Sequence, residues 1–283
     1  MTVETQTNLT EAELAKSAAK KLAVLEARLR ELGRLMVAYS GGVDSAFLAA
    51  TAHRVLGDQM MAVLADSASL ARHDLELACE FAIAQGIPLQ VVATEELDNP
   101  EYAKNDANRC FHCKDELFAR LDEVARQRGV AHVIYGVNMD DLGDYRPGQS
   151  AAKIHQVKAP LVEAGLTKAE IRELSQRAGL KTWDRPASAC LSSRIPYGTP
   201  VTIENVKTVE RGEDAIKALG FRQFRVRFHG ELVRIEIAPE ELERALAPEM
   251  ARAFTAIFKP LGFHYVTLDL EGYRQGSLNA VLR

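Results

Sequence analysis

Ser40-Gly41-Gly42-Val43-Asp44-Ser45 joins an apolar run, Leu35-Met36-Val37-Ala38-Tyr39, to a helix-like segment from Ala46 to Leu56. Two adjacent glycines let the backbone turn sharply and bring unshielded N–H groups against an anion, and the helix that follows points its positive dipole end at the same place. Ser40 and Ser45 add hydroxyl donors. Asp44 would repel a phosphate, so its charge implies a divalent cation bridging to the phosphate oxygens. With Ala38 on the run before it, the stretch reads as a site for ATP and Mg²⁺. The segment is neither a Walker loop, which needs G-x-x-x-x-G-K-[ST], nor the dinucleotide fingerprint G-x-G-x-x-G.

Four cysteines, at 79, 110, 113 and 190, carry the second chemistry. Cys110-Phe111-His112-Cys113 precedes a predicted helix, and Cys190 lies in an irregular stretch marked by Pro186, Pro196 and Pro200. Two cysteines at C-x-x-C spacing can grip one metal centre, and a distant third completes the grip only if the fold brings it back. A redox pair, a zinc site with His112 and plain buried thiols are the other readings of the same spacing. Cys79 sits within an amphipathic helical pattern and reads as a structural thiol. His53 and His155 lack metal-ligand spacing, and Trp183 reads as packing.

These residues need elements to hold them. Thr10 and Glu13 form a capping box that opens a charged helix running to about Leu32. Short apolar strands are expected at Arg34–Tyr39, Met60–Ala65, Leu89–Ala93 and His132–Gly136, with helices at Asp44–Leu56, Leu70–Gln85 and Lys114–Arg128. Apolar strands without alternation, separated by helices, imply a parallel sheet covered on both faces. Ligands bind such a sheet beyond the carboxyl ends of its strands, where the Ser40 loop, Asp66 and the loop from Gly136 to Asp141 all fall. A capped helix from Lys168 to Ala178 closes this α/β part. The expected division is an ATP-binding domain over 1–185 and a smaller α+β domain over 186–283 for substrate binding and oligomerisation. The second domain should contain a helix at Ile203–Leu219, strands at Arg222–Phe228 and Leu232–Ile237 joined by a turn at His229-Gly230, a helix from Pro239 to Phe258, and a strand at His264–Leu270.

At 283 residues with 47% hydrophobic content the chain can bury sizeable cores, and a net charge of −4 provides no general attraction to nucleic acid. No secretion leader and no membrane-spanning apolar run is apparent, so a cytoplasmic location without membrane partners is expected.

The combination of motifs resembles the LarE family, ATP-dependent sulfur transferases of nickel-pincer nucleotide cofactor synthesis, within the PP-loop ATP pyrophosphatases. The resemblance is carried by Ala38 to Ser45, Arg109-Cys110-Phe111-His112-Cys113-Lys114, Asp140 to Gly148, Arg185 to Gly198, Arg225 to Gly230 and Gly272-Tyr273-Arg274. It implies adenylation of the carboxylates of pyridinium-3,5-biscarboxylic acid mononucleotide and their conversion to thiocarboxylates, with Cys190 as the sulfur-handling residue. In the sacrificial form of the family one cysteine gives up its sulfur. Members with the C-x-x-C pair look able to hold a [4Fe-4S] cluster, here on Cys110, Cys113 and Cys190, and to pass on sulfide from an exogenous source. Resemblance also turns Arg225 and Arg227, two apart on a strand, from a solvated face into a grip for the substrate phosphate, with Arg194 as a further contact. It implies a homo-oligomer, possibly a hexamer. The alternatives carried alongside are a tRNA thiolase, an ammonia-using amidotransferase and a non-catalytic nucleotide-binding regulator.

Overall fold

The computed structural model describes residues 11–143, 147–186 and 188–274. Thr10 of the expected capping box, Asp144, Tyr145 and Arg146 of the Asp140 motif, and Ala187 lie outside the described residues. Through the first part of the chain come α1 (Glu11–Leu32), β1 (Leu35–Tyr39), α2 (Val43–Leu56), β2 (Met60–Asp66), α3 (Arg72–Ala84), β3 (Leu89–Ala93), α4 (Pro100–Ala103), α5 (Arg109–Arg128) and β4 (His132–Tyr135). There follow α6 (Gly148–Ile154), α7 (Pro160–Glu163), α8 (Lys168–Arg177), α9 (Ile203–Ala218), β5 (Phe224–His229), β6 (Leu232–Ile237), α10 (Leu242–Ala245), α11 (Pro248–Phe258) and β7 (Tyr265–Leu268). The described residues divide into two compact units, one drawn from 1–66, 73–94 and 114–187, the other from 67–72, 95–113 and 188–283.

The first unit is built on a parallel sheet in the order β3-β2-β1-β4. β1 lies between two neighbours, and Leu35, Met36 and Val37 are fully buried. β3 and β4 are the edge strands; β3 has no buried residue, so the expectation of strands covered on both faces holds for the centre of the sheet and fails at the β3 edge. α8 opens with Thr167 in a capping box with Glu170. Glu170 is buried and also accepts from Ser17 and Lys21 of α1, which ties the two helices together.

The second unit carries a three-stranded mixed sheet, β5-β6-β7, with β5 and β6 antiparallel and β6 and β7 parallel. β5 and β6 meet at Gly230, whose φ of 66° suits the tight turn. Val226, Val233, Ile235, Phe254, Phe258 and Phe263 form its main core. The helix expected from Pro239 to Phe258 is broken. Pro248 cannot donate a backbone hydrogen bond and starts α11 as a first-turn residue instead of continuing α10.

One stabilising contact lies outside every sequence expectation. His155, which follows α6, places Nδ1 2.6 Å from Asp122 and Nε2 3.1 Å from Asp115, both on α5. Burial of the ring opposes its charge, but the hydrogen bonds to the two carboxylates outweigh that effect and raise its pKa above the usual 6.5. A raised folded-state pKa stabilises the fold fully below the unfolded value and loses that contribution as pH rises through the folded value. The stability difference between wild type and His155→Gln should therefore be largest near pH 6 and shrink above neutrality, as read from urea unfolding across pH. A difference that grows with pH would refute the ion-pair assignment.

Candidate functional site

The carboxyl ends of the parallel strands collect the residues that the first motif brought forward. Ala38 pairs with Val63 on one side and Tyr135 on the other, so Ser40, Asp66 and Gly136 leave the same edge of the sheet. Gly41 has a φ of 73°, and a Cβ there would stand 2.6 Å from the Ala78 Cβ, so this position needs glycine for both conformation and space. Gly42 caps α2 without a side-chain hydrogen bond, leaving the first turn of that helix to an incoming acceptor. The two serines also hydrogen-bond within the loop. Ser45 Oγ accepts from the Ser40 N–H at 3.1 Å, lies 3.0 Å from Ser40 Oγ and donates to the Gly42 carbonyl at 3.2 Å, so the hydroxyls fix the shape of the loop.

Gly136 is expected from sequence to touch nucleotide, and its backbone position explains why a glycine stands there. A Cβ would lie 2.8 Å from the Ser45 nitrogen and 2.9 Å from its Cα, against backbone that cannot step aside. Gly136→Ala should cost about 1–3 kcal/mol in overpacking, and a denaturation midpoint equal to that of wild type would contradict the close approach.

Asp44, in the first turn of α2, has one oxygen engaged and one orphaned. Oδ2 accepts from Lys168 Nζ, whereas Oδ1 is buried and has no hydrogen-bond partner among the described residues. A buried, unsatisfied carboxylate oxygen beside an anion-accepting loop fits a cation ligand such as Mg²⁺. Lys168 is the first residue of α8; its backbone N–H donates to Asp140 Oδ2 at 2.6 Å, so the loop after β4 and the start of α8 are pinned together. Arg185 Nη1 donates to the Gly41 carbonyl at 2.8 Å, and Arg172 holds the Arg185 carbonyl at 2.8 Å. Sequence reasoning gave no site role to Lys168, Arg172 or Arg185, although Arg185 opens the Arg185 to Gly198 stretch.

All three cysteines of the sulfur hypothesis fall in the second unit. Cys110 and Cys113 lie inside α5, in its first turn, and not before it, because the Asp106 carbonyl and the Asn108 carbonyl already accept from Arg109 and Phe111. Cys110 and Cys190 are exposed and Cys113 is half-buried. Cys113 packs against the apolar cluster that contains Tyr102, Leu191 and Ile195, so it shares a wall with the neighbour of Cys190. Burial first, and then charge on Cys190 and Cys113, push the Tyr102 phenol far up. Burial would lower the Arg109 pKa, yet charge on Cys190 and Cys110 raises it. Two side chains thus each sense Cys190 together with one cysteine of the pair. Among the described residues no group of three His, Cys, Asp or Glu side chains converges as a single ion would require. An iron–sulfur cubane ordinarily takes four thiolates, one on each of its irons, and this unit holds three cysteines, two of them exposed.

The three arginines are placed as follows. Arg194 forks onto Glu213 at 2.8 and 2.9 Å and donates to the carbonyls of Ala189 and Cys190 at 2.6 and 3.0 Å. Its burial excludes a solvated surface charge. Arg227 and Arg225 stand on the face of β5 away from the buried Val226. Arg227 meets Glu236 at 2.8 Å and the Ser193 carbonyl at 3.0 Å. Arg225 lies over the Tyr273 ring with its guanidinium 4.9 Å from the centroid. Burial, followed by the neighbouring Arg194 cation, lowers the Arg225 pKa. An anion beside Arg225 would relieve that repulsion. Cys79, on α3, is half-buried.

A parallel sheet whose first strand runs through S-G-G-V-D-S into a helix defines the PP-loop class of ATP-utilising enzymes, and the NAD synthase family model matches residues 18–142. The chain is 36% identical over 265 residues, 93% of its length and 95% of the relative's, to pyridinium-3,5-bisthiocarboxylic acid mononucleotide synthase of Lactiplantibacillus plantarum. It belongs to the LarE family of ATP-dependent sulfur transferases. It is also 45% identical over 262 residues, 93% of its length and 98% of the relative's, to the uncharacterized protein slr1717 of Synechocystis. Similarity to the tRNA-specific 2-thiouridylase MnmA of Rickettsia rickettsii is 28% identity over 241 residues, 72% of this chain and 65% of that one. No helix among the described residues is long and apolar enough to cross a membrane.

Proposed function

We propose that this protein adenylates the carboxylates of pyridinium-3,5-biscarboxylic acid mononucleotide and converts them to thiocarboxylates, with Cys190 at the point of sulfur transfer. The observation that carries the reading is end-to-end similarity to a synthase of that product, joined to three cysteines in a single compact unit. A carboxylate is a poor electrophile, and coupling it to AMP creates a leaving group that sulfur can displace. The Ser40–Ser45 loop and the first turn of α2 hold the pyrophosphate, while Asp44 Oδ1 holds Mg²⁺. When bound, that ion would neutralise charge on the departing pyrophosphate. Asp66, Gly136 and Ala38 border the nucleotide on the same sheet edge.

Residues 186–283 bind the substrate, with Arg225 facing its phosphate and Arg194 and Arg227 fixing the surrounding backbone. Arg194, gripping the carbonyls of Ala189 and Cys190 in the two peptide groups that flank the Cys190 Cα, sets the orientation of the Cys190 backbone. Cys110, Cys113 and Cys190 would hold a [4Fe-4S] cluster, which supplies an iron without a protein ligand where exogenous sulfide can be carried. The protein acts in the cytoplasm as a homo-oligomer on a small molecule. A tRNA thiolase reading is less favoured, since a net charge of −4 provides no general attraction to a polyanion.

Anaerobic reconstitution with iron and sulfide tests the cluster. Wild type should gain broad visible thiolate-to-iron absorption, Cys110→Ala and Cys113→Ala should lose it, and turnover should exceed one per chain with Cys190 intact. If wild type binds no iron and its mass falls by one H₂S per turnover, leaving dehydroalanine at 190, the sulfur comes from Cys190 itself. Pyrophosphate release with tRNA but not with the pyridinium mononucleotide would refute the substrate assignment.

A further inference from the structure

The segment carrying Cys110 and Cys113 and the segment carrying Cys190 are far apart in sequence and are sewn together by side chains that perform no chemistry. Asn105 is fully buried, with a φ of 60° that few residues other than glycine adopt. Its Nδ2 donates to the carbonyls of Pro196 and Thr199 at 2.8 Å each and lies 3.3 Å from that of Ile195. Its own carbonyl accepts from the Gly198 N–H at 3.0 Å. The Asn105 Oδ1 accepts from Arg109 Nη1 at 2.5 Å, and the same nitrogen donates to the Ser192 carbonyl at 2.9 Å. Arg109 is buried, stands immediately before Cys110, and lies over the Tyr197 ring.

A second stitch is a closed ring of three buried hydroxyls. Tyr102 Oη lies 2.8 Å from Ser69 Oγ and donates to Ser192 Oγ at 2.8 Å, and the two serine oxygens are 2.7 Å apart. The Leu191 N–H donates to the Ser69 carbonyl at 2.8 Å. Cys190 is therefore followed at once by two residues whose positions are fixed from the 67–72 and 95–113 segments. Buried polar networks of this kind are costly unless every member is satisfied, and when satisfied they fix one arrangement.

We propose that Asn105, Arg109 and Tyr102 are positioning residues, a clasp that holds Cys190 in register with Cys110 and Cys113 before any iron is present. The proposal rests on the joint role assigned above to the three cysteines. A clasp formed in the iron-free chain means that the ordering cost of gathering three thiols has been met during folding, so binding need not supply it.

The test uses reduced, iron-free, full-length protein treated with a short bis-maleimide, with Cys190–Cys110 and Cys190–Cys113 cross-links quantified by peptide mass mapping. N-ethylmaleimide labelling of each thiol controls for exposure. Asn105→Gly keeps the left-handed backbone accessible while removing the buried side chain with its hydrogen bonds. It should cut the cross-linked fraction about tenfold, as loss of a charge-linked hydrogen-bond hub implies, without changing single-thiol labelling. Tyr102→Phe keeps the ring packing and should cut it severalfold. Arg109→Lys should fall between Asn105→Gly and wild type. Val233→Ala, in the other core cluster of the same unit, lowers stability without touching the clasp and should cross-link like wild type.

Wild-type cross-linking in both Asn105→Gly and Tyr102→Phe would overturn the proposal, as would an equal drop in Val233→Ala or no cross-link in wild type. A wild type that cross-links but takes up no iron refutes the cluster and leaves the clasp standing.

Discussion

Cys190→Ala protein is expected to release pyrophosphate from ATP and substrate at near the wild-type rate and to make no thiocarboxylate. Adenylation is assigned to groups around the Ser40–Ser45 loop, and none of them uses a thiol. Under the proposed function, sulfur transfer uses Cys190 either as donor or as a ligand of the sulfide carrier. The exposed Cys190 side chain can be shortened without opening a core cavity. Its backbone stays fixed by Arg194 and by the bond from Leu191 to Ser69. The loss in product formation should reach at least about 10³-fold, the scale on which nucleophile deletions act. Parallel assays of pyrophosphate and thiocarboxylate read the two steps separately. Normal product formation would remove Cys190 from the chemistry, and equal loss of both products would mean that the residue supports the fold or the adenylation step.

What the sequence disclosed, and what it hid, follows from how local each feature is. The Ser40 loop was legible because turn, helix start and apolar strand are contiguous. Strands such as Leu89–Ala93 and Leu232–Ile237 were legible as short stretches rich in branched apolar residues between breakers. The start of α5, expected at Lys114, lies earlier at Arg109, because Cys-Phe-His-Cys carries no strong helical signature and the initiating contacts come from Asp106 and Asn108 just before it. The helix from Pro239 was overextended through Pro248, whose ring suits a first turn and not an interior.

Other features required the tertiary arrangement. Lys168 reaches Asp44 across 124 positions of sequence, and no periodicity marks such a pair. Arg225 and Arg227 were legible as sharing a face. Their different fates were not, because the strand register sets Arg225 opposite Glu236 and Arg227 opposite Arg234, and the diagonal contact then joins Arg227 to Glu236. The expected boundary near residue 185 says nothing about segments 67–72 and 95–113, which leave one unit and complete the other. Those excursions carry Cys110 and Cys113 into the unit of Cys190.

Asp44→Asn should fold normally and lose pyrophosphate release by about 10²-fold or more, the scale on which a single electrostatic contact in a transition state acts. Asparagine keeps the shape of the side chain at the start of α2 but replaces the anionic Oδ1 and Oδ2 by one neutral acceptor and one donor. The orphaned Oδ1 then loses its capacity to hold a dication. At Oδ2 an amide nitrogen would face the Lys168 ammonium, donor against donor, so the amide must turn over and present its oxygen to Lys168, which takes the acceptor away from the cation site. Stability should change only modestly, because the pair is half-buried and the turned amide oxygen still accepts from the Lys168 ammonium. The unfolding midpoint and the rate of pyrophosphate release at saturating ATP, followed over a Mg²⁺ titration, separate the two effects. A wild-type rate at every Mg²⁺ concentration would remove Asp44 from the metal site. A full loss accompanied by a collapsed midpoint would assign it to holding α2 and α8 together instead.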